Sequence, residues 1–380
     1  MKKKKVVILH NILNPHIIPL FERLSKEEGD FKFFFASESE ANRLWKTEVG
    51  EKFDYKILPK LAIELKDQDL FTYFINPTVF FELLKERADV VIVSGWDLFA
   101  YQAAFLYAKL FRKKFILWSG STTHETSWRR TISKPLVWSM VKGADAYLAY
   151  GTRAKEYLIS LGAKPEKIFI AYQTIDIETF QKELKKWQRQ KEKVKKGIGI
   201  KTDKVILFVG QLIERKGAVY LIKAFKKIKE ELADVSLLIV GYGELEEKLK
   251  DFVSKEKIRD IFFVGGADWP EVAKFYAIAD LFVLPSLEEV WGLVINEAMA
   301  AGLPVVATKV VGSSEDLIKE GKNGFLVQPG SSQALTITLK ALLKDEILRR
   351  KLGQESFRTM KDFSFEQSIS AIKEAIFYGG

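Results

Sequence analysis

Residues 281–308 read LFVLPSLEEVWGLVINEAMAAGLPVVAT, and the order of signals in this stretch decides the fold. The unbroken apolar run Leu281–Leu284 reads as a strand covered on both faces. Pro285 ends it, because proline has no N–H to give to a central ladder. A loop follows through Gly292, then an alanine-rich segment, LVINEAMAAG, with helical character. Gly302 suits a left-handed helix terminus, and Pro304 forbids continuation before the second apolar run, VVAT. Strand, loop, helix and strand in this order make a parallel βαβ unit. Glu289 and Glu297 stand out against the apolar background: the first belongs to the loop, the second to the first turns of the helix.

The same alternation extends outward in both directions. KVVIL, FKFFFA, VVIVSG, KFILWS, AYLAYG and KIFIAY form one series of strands, with helical segments such as HIIPLFERLSKE and RAKEYLISLG between them. KVILFVG, SLLIVG, IFFVGG, LFVLPS, PVVATK and GFLVQP form a second series. Apolar strands alternating with amphipathic helices imply parallel sheets covered on both faces, so the expected fold class is α/β with two doubly wound, Rossmann-like domains. The expected division is 1–178 for the first domain, a basic linker at 179–200, and 201–362 for the second. A closing helix at 363–380 is expected to pack back toward the N-terminal domain. In doubly wound folds ligands bind beyond the carboxyl ends of the strands, where helix N-termini present amide donors.

Composition narrows the chemistry. The 380 residues contain no cysteine, which excludes disulfides and thiolate metal sites. The three histidines, His10, His16 and His124, lack ligand spacing, so no metal site is expected. MKKKKVVILH has too short an apolar run for a signal peptide and reads as a first strand, so a cytoplasmic location is expected. Residues 90–111 are the longest apolar stretch, yet Gly95 and Asp97 divide it into a strand and a helix rather than a membrane span. The net charge of +10 is concentrated in the first 177 residues and in 181–200. Such a surface suits an anionic partner, and a lysine-rich solvated helix explains 181–200 equally well. Peripheral attachment to an anionic membrane, at its inner face, is one expectation.

Two readings of the glutamates are open from the residues alone. Acids near a helix N-terminus stabilise it without any ligand, by a few tenths of a kcal/mol. That reading does not explain Pro285, Glu289 and Gly292 in this order. Gly292 lets backbone approach a ligand, and the amides of Leu293 and Val294 form an anion site at the helix start. GQLIERKG offers a second junction, where Gly210 ends a strand and Arg215 and Lys216 precede a helix. Cations are unfavourable at a helix N-terminus unless an anion is present. IVGYGELEEKL carries Gly241 and Gly243, best read as a close-packed turn.

These motifs resemble the donor-site signature of retaining glycosyltransferase family four, the glycosyl transferases group 1, whose fold is GT-B. The paired glutamates with seven residues between them, the glycine before the helix, and Ala-x-Gly-x-Pro-Val after it all stand in 281–308. FVGQLIERKGAVYLIKAF, LLIVGYGELEEKL and IFFVGGADWPEVAKFYAIADLFVLPS resemble the rest of that family's C-terminal domain, and PHIIPLFERLSK its N-terminal one. The resemblance implies two Rossmann-like domains facing a deep interdomain cleft. It implies that Glu297 hydrogen-bonds a nucleotide ribose and that Glu289 orients the transferred sugar. Arg215 and Lys216 would hold the diphosphate and stabilise its charge as it leaves, and Gly265 would lie by the base. Many members carry arginine where Gln211 stands; here Arg215 is expected to replace it.

The N-terminal half resembles the family less. HNILNPHIIPL lacks the two glycines many members have after the first strand, and His16 is the candidate there. In FILWSGSTTHETSWRRTISKP, the polar loop carries His124, Glu125, Arg129 and Arg130 as acceptor-side candidates. The implied activity is metal-independent, retaining transfer of a sugar from a UDP-, GDP- or ADP-sugar to a hydroxyl of a carbohydrate or lipid-linked acceptor, in glycan, glycolipid or polysaccharide biosynthesis. No cofactor and no nucleic acid are expected. A non-catalytic nucleotide-sugar-binding partner of another transferase is the alternative, and a GT-B epimerase a further one. A nicotinamide dehydrogenase is excluded, since no G-x-G-x-x-G follows the first strand.

Overall fold

The computed structural model describes residues 3–39, 52–66, 70–123 and 128–379. The chain divides into two compact units, one of residues 1–173 and 365–380, the other of residues 174–364. The first unit is built on β1 (Lys5–Ile12), β2 (Asp30–Ser37), β3 (Tyr55–Ile57), β4 (Leu61–Lys66), β5 (Leu70–Ile75), β6 (Val90–Val93), β7 (Lys114–Ser119), β8 (Ala146–Ala149) and β9 (Ile168–Ile170). Seven of these form a parallel sheet in the order β3-β2-β1-β6-β7-β8-β9, while β4 and β5 pair as a separate antiparallel hairpin. β3 and the hairpin were not among the strands anticipated from pattern, being short or only half covered.

Side-chain alternation sorts each strand of that sheet into two cores. Val7 and Leu9 of β1 face one layer, covered by the helices Val79–Glu86, Phe99–Leu110 and Trp128–Gly143. Val6 and Ile8 face the other, covered by Ile17–Leu24 and the closing helix Phe365–Phe377. Phe365, Ile369, Ile372 and Ile376 of the closing helix are buried among first-unit residues. Each buried side chain of this size contributes about 1.5–3 kcal/mol. Residues 90–111 fold as β6 and a helix, and no described helix is long and apolar enough to cross a membrane.

The second unit carries β10 (Lys204–Val209), β11 (Val235–Val240), β12 (Ile261–Phe263), β13 (Leu281–Leu284), β14 (Val305–Thr308) and β15 (Gly324–Val327), all parallel, in the order β12-β11-β10-β13-β14-β15. Renumbered within the unit this is 3-2-1-4-5-6, the doubly wound order whose direction of winding reverses between the first and fourth strands. The reversal opens a crevice beyond the carboxyl ends of β10 and β13. The first sheet reverses in the same way, between β1 and β6.

Residues 179–200 are not a linker. They form most of two helices, Ile177–Gln188 and Lys191–Ile198, within the second unit. Asp176 caps the first, accepting the Thr179 amide at 3.3 Å. Phe180 and Leu184, one helical turn apart, are buried, and the Phe180 ring stacks 5.3 Å from Trp269. Two apolar side chains at this spacing suffice to dock a helix whose other faces are charged, so net composition misled.

Candidate active site

The loops after β10 and β13, at the reversal of the second sheet, are joined through backbone. After β10 the chain makes a 3-10 turn, Glu214–Lys216, and Gly217 adopts φ +67°. A Cβ on Gly217 would lie 2.2 Å from the Pro285 carbonyl oxygen, so the turn after β10 touches the end of β13 directly. The Leu287 amide donates to the Arg215 carbonyl at 2.7 Å, and the Glu288 amide to the same oxygen at 3.3 Å. The two loops are therefore held together by main chain.

Lys216 and Glu289 meet where these loops join: the Lys216 ammonium donates to Glu289 Oε2. Both side chains are largely buried. Ser286 Oγ lies 3.5 Å from the same carboxylate oxygen, and Thr308 Oγ1 fixes the Ser286 carbonyl at 2.6 Å. Gly292, at φ +91°, leaves room for the Glu289 side chain; a Cβ there would crowd Glu289 Cγ at 3.3 Å and Leu284 at 3.1 Å. On its far side the Glu289 carbonyl accepts the Gly312 amide at 3.0 Å. A Cβ on Gly312 would overlap the Val290 carbonyl oxygen at 1.7 Å. Loops after β10, β13 and β14 thus fix one carboxylate and one ammonium.

Gly292 begins the helix Leu293–Ala300, and Leu293 and Val294 are its first two residues, both half-buried. The first amides of any helix have no acceptor within it. Glu297 lies on the following turn and is buried. The Tyr276 hydroxyl donates to Glu297 Oε2 at 2.6 Å, and burial pushes the Glu297 carboxyl up to about 7 while that hydrogen bond pulls it down. Tyr276 is itself raised well above its ordinary value by burial, then by the neighbouring carboxylate. Its ring packs edge-on against Phe180 at 5.6 Å. Asn296, alongside, accepts the Trp291 indole N–H at 3.0 Å and fixes the loop from within.

The structure brings Lys216, Glu289 and Gly292 together directly. Arg215 shares the turn and contributes its carbonyl to the loop closure; its side chain is half-buried and engaged. Gly210 and Gly265 flank the ends of β10 and β12. The Gly210 amide donates to Val240, and the Gly265 carbonyl accepts the Gly241 amide at 2.7 Å. Gly265 holds φ +71° with open space where a Cβ would stand. Gly241 and Gly243 are a close-packed turn: a Cβ would come within 1.8 Å of the Gly210 carbonyl oxygen and 2.4 Å of that of Leu212.

In the first unit, His16 precedes the helix Ile17–Leu24, and its amide donates to Asn14 Oδ1 at 3.1 Å. Arg129 and Arg130 lie on the helix Trp128–Gly143. His124 and Glu125 lie outside the described residues, as do the side chains of Arg129 and Arg130. Sequence reading missed Ser286, Thr308 and Tyr276. Ser286 sits within the quoted stretch, but Tyr276 is hidden in the apolar run VAKFYAIAD, where an aromatic reads as core. Among the described residues no group of three or more His, Asp or Glu side chains is arranged to hold a metal ion.

Residues 190–359 match the family model of glycosyl transferases group 1. An uncharacterised glycosyltransferase of Methanocaldococcus jannaschii is 36% identical over 194 residues, which cover 50% of this chain and 49% of the relative. N-acetyl-alpha-D-glucosaminyl L-malate synthase of Bacillus anthracis is 32% identical over 218 residues, covering 57% and 55%. The chain spans about half the length of these curated relatives. The crystal structure of Anabaena HepE in complex with UDP superposes over 98% of this chain and 99% of its own, with TM-score 0.74 and 17% identity. The likeness shows the fold, which is GT-B.

Proposed function

From the match of residues 190–359 to the family model of glycosyl transferases group 1, we propose that this chain is a retaining, metal-independent transferase taking a sugar from a nucleotide-diphosphate donor to an acceptor hydroxyl. The observation that carries this reading is the buried Lys216–Glu289 pair at the reversal of the second sheet, with buried Glu297 on the adjoining helix. Lys216, Arg215 and the amides of Leu293 and Val294 would neutralise the diphosphate. Glu289 would fix Lys216 beforehand and hold the sugar hydroxyls, and the Glu297 carboxylate would accept two hydrogens from the ribose diol. Gly210 and Gly265 would let backbone approach the nucleotide. As the anomeric C–O bond to phosphate breaks, the acceptor oxygen bonds the anomeric carbon from the same face, and the acceptor proton passes to the departing phosphate oxygen. Preorganised cations act on the charge that develops there. The HepE complex with UDP-glucose is a precedent for such a donor in this fold.

The acceptor would be a carbohydrate or a lipid-linked glycan on the cytoplasmic side. His16, His124, Glu125, Arg129 and Arg130 remain the acceptor-side candidates. The test is thermal unfolding with UDP-, GDP- and ADP-sugars, followed by product analysis. A donor present at a hundred times its Kd stabilises by about 2.7 kcal/mol and raises the midpoint. The product should keep the anomeric configuration of the donor. A product of inverted configuration overturns the retaining mechanism, no shift with any nucleotide sugar overturns donor binding, and a shift without turnover favours the non-catalytic binding partner.

A further inference from the structure

Two helices of the first unit, Val79–Glu86 and Phe99–Leu110, expose large apolar side chains next to one another. Phe81 is 69% exposed, Leu110 61% and Leu106 53%, with Leu84 and Phe111 also exposed. Single exposed apolar residues are ordinary, but a contiguous group calls for an explanation. Contiguity here is set by rings: Phe80 lies 6.2 Å from Phe81 on its own helix and 6.3 Å from Phe111 at the end of the other. Leu106 and Leu110 are one helical turn apart and share a face, as do Phe81, Leu84 and Lys85.

The charge around this group has one sign. Glu82 is paired with Lys56 at 2.7 Å, Glu86 with Lys32 at 2.8 Å, and Asp89 with Lys113 at 2.9 Å. Lys85, Arg87 and Arg112 are exposed, and no carboxylate of a described residue pairs with any of them. Arg87 and Arg112 hold left-handed backbone, φ +54° and +51°, where glycine or asparagine is the easier residue. A cation at a helix C-terminus faces the negative pole of the helix, which accounts for one positive charge at each end. It does not account for five exposed apolar residues between them. On the helix Trp128–Gly143, Trp138 is also exposed, with the Lys142 ammonium 3.7 Å from its ring centroid.

We propose that this face of the first unit docks on an anionic lipid bilayer. Apolar side chains flanked by unpaired cations on surface helices are what the boundary between headgroups and acyl chains accommodates. Phe81, Leu84, Leu106, Leu110 and Phe111 enter that boundary, and Lys85, Arg87 and Arg112 meet the phosphates. This proposal is independent of the sugar chemistry and of any acceptor.

The test is co-sedimentation of the full chain with vesicles of phosphatidylcholine containing phosphatidylglycerol, against vesicles of phosphatidylcholine alone. The protein should bind the anionic vesicles in preference and release them at high salt. Arg87→Gln with Arg112→Gln should weaken binding about thirtyfold, and Phe81→Ser with Leu110→Ser should abolish it, both with unchanged unfolding midpoints. Equal affinity for the two vesicle types, or undiminished binding by either double variant, overturns the proposal. So does the absence of vesicle binding, whether or not light scattering finds self-association that the Phe81→Ser, Leu110→Ser variant removes.

Discussion

Both sheets reverse their winding once, between β10 and β13 in the second unit and between β1 and β6 in the first, and the two reversals are furnished differently. In the second, glycines at 217 and 312 let backbone touch backbone, and a buried ammonium–carboxylate pair stands where the loops meet. In the first, the chain after β1 is organised by side chains: Asn14 Oδ1 accepts the amides of His16 and Ile17, and no glycine intervenes. The buried titratable group there is His10, its Nδ1 donating to the Ile12 carbonyl at 3.1 Å and its ring packed edge-on against Phe21 and Phe35. Burial pushes it down to about 4, so it is neutral at pH 7. One reversal thus stores charge in a rigid frame, while the other stores a neutral ring in an apolar one. On the proposed function, the first arrangement would stabilise a diphosphate, and the second would leave the acceptor to its loops.

The largest effects should come from taking that stored charge apart. If the Lys216–Glu289 pair supplies about 4 kcal/mol at the transition state, either Lys216→Ala or Glu289→Gln lowers kcat about a thousandfold. Lys216→Ala also leaves the Glu289 carboxylate buried without its partner, which costs about 3 kcal/mol of stability. Combining Lys216→Met with Glu289→Leu should recover most of that stability in urea unfolding while transfer stays lost. Transfer at the wild-type rate in either single variant would remove that residue from the site. A comparable loss of stability should follow Gly312→Ala, about 3 kcal/mol or more, because the overlapping atom is the Val290 carbonyl oxygen and not a movable side chain. A midpoint within experimental error of wild type would mean the β13 and β14 loops are less tightly joined.

These two reversals also differ in how much of them can be read without coordinates. Pro285, Gly292, Gly302 and Pro304 each have one strong backbone meaning, so 281–308 announces its strand, loop and helix. Lys216 was found because a cation before a helix is locally unfavourable. What pattern cannot convey is pairing between loops seventy residues apart, such as the Leu287 amide on the Arg215 carbonyl, or that Tyr276 turns its hydroxyl to Glu297. Composition also misread 179–200, where Phe180 and Leu184 outweigh the surrounding lysines. In the first unit, every strand of the parallel sheet except β3 was legible from its apolar run, but HNILNPHII has no glycine, and Pro15 marks a turn without fixing a site.

The contrast between the units should be visible in how stability depends on pH. A histidine more acidic when folded than when unfolded contributes stability that is full above its ordinary 6.5 and is lost as pH falls toward about 4. A carboxyl more basic when folded does the reverse: the Glu297 contribution is full below 4.5 and is lost as pH rises through about 7. Each is worth about 3 kcal/mol over its window. His10→Phe should therefore flatten the acid side of a stability–pH curve, and Glu297→Gln the side from 4.5 to 7. If both variants keep the wild-type slopes, neither group is buried as described.

The smallest expected effect is the most informative about the nucleotide. Tyr276 donates to Glu297 and favours its charged form against the burial that opposes it. Removing the hydroxyl in Tyr276→Phe leaves the ring in its place against Phe180, so packing is kept and only the hydrogen bond is lost. The Glu297 titration should then move upward from about 7. If its carboxylate is what accepts the ribose hydrogens, nucleotide affinity at pH 7 should fall by about 1 kcal/mol, roughly fivefold, and should return at higher pH as the carboxyl ionises. A merely structural tyrosine would weaken binding equally at every pH. Calorimetric titration of UDP across that range separates the two, and a pH-independent loss would detach Glu297 from the ribose while leaving Lys216 and Glu289 untouched.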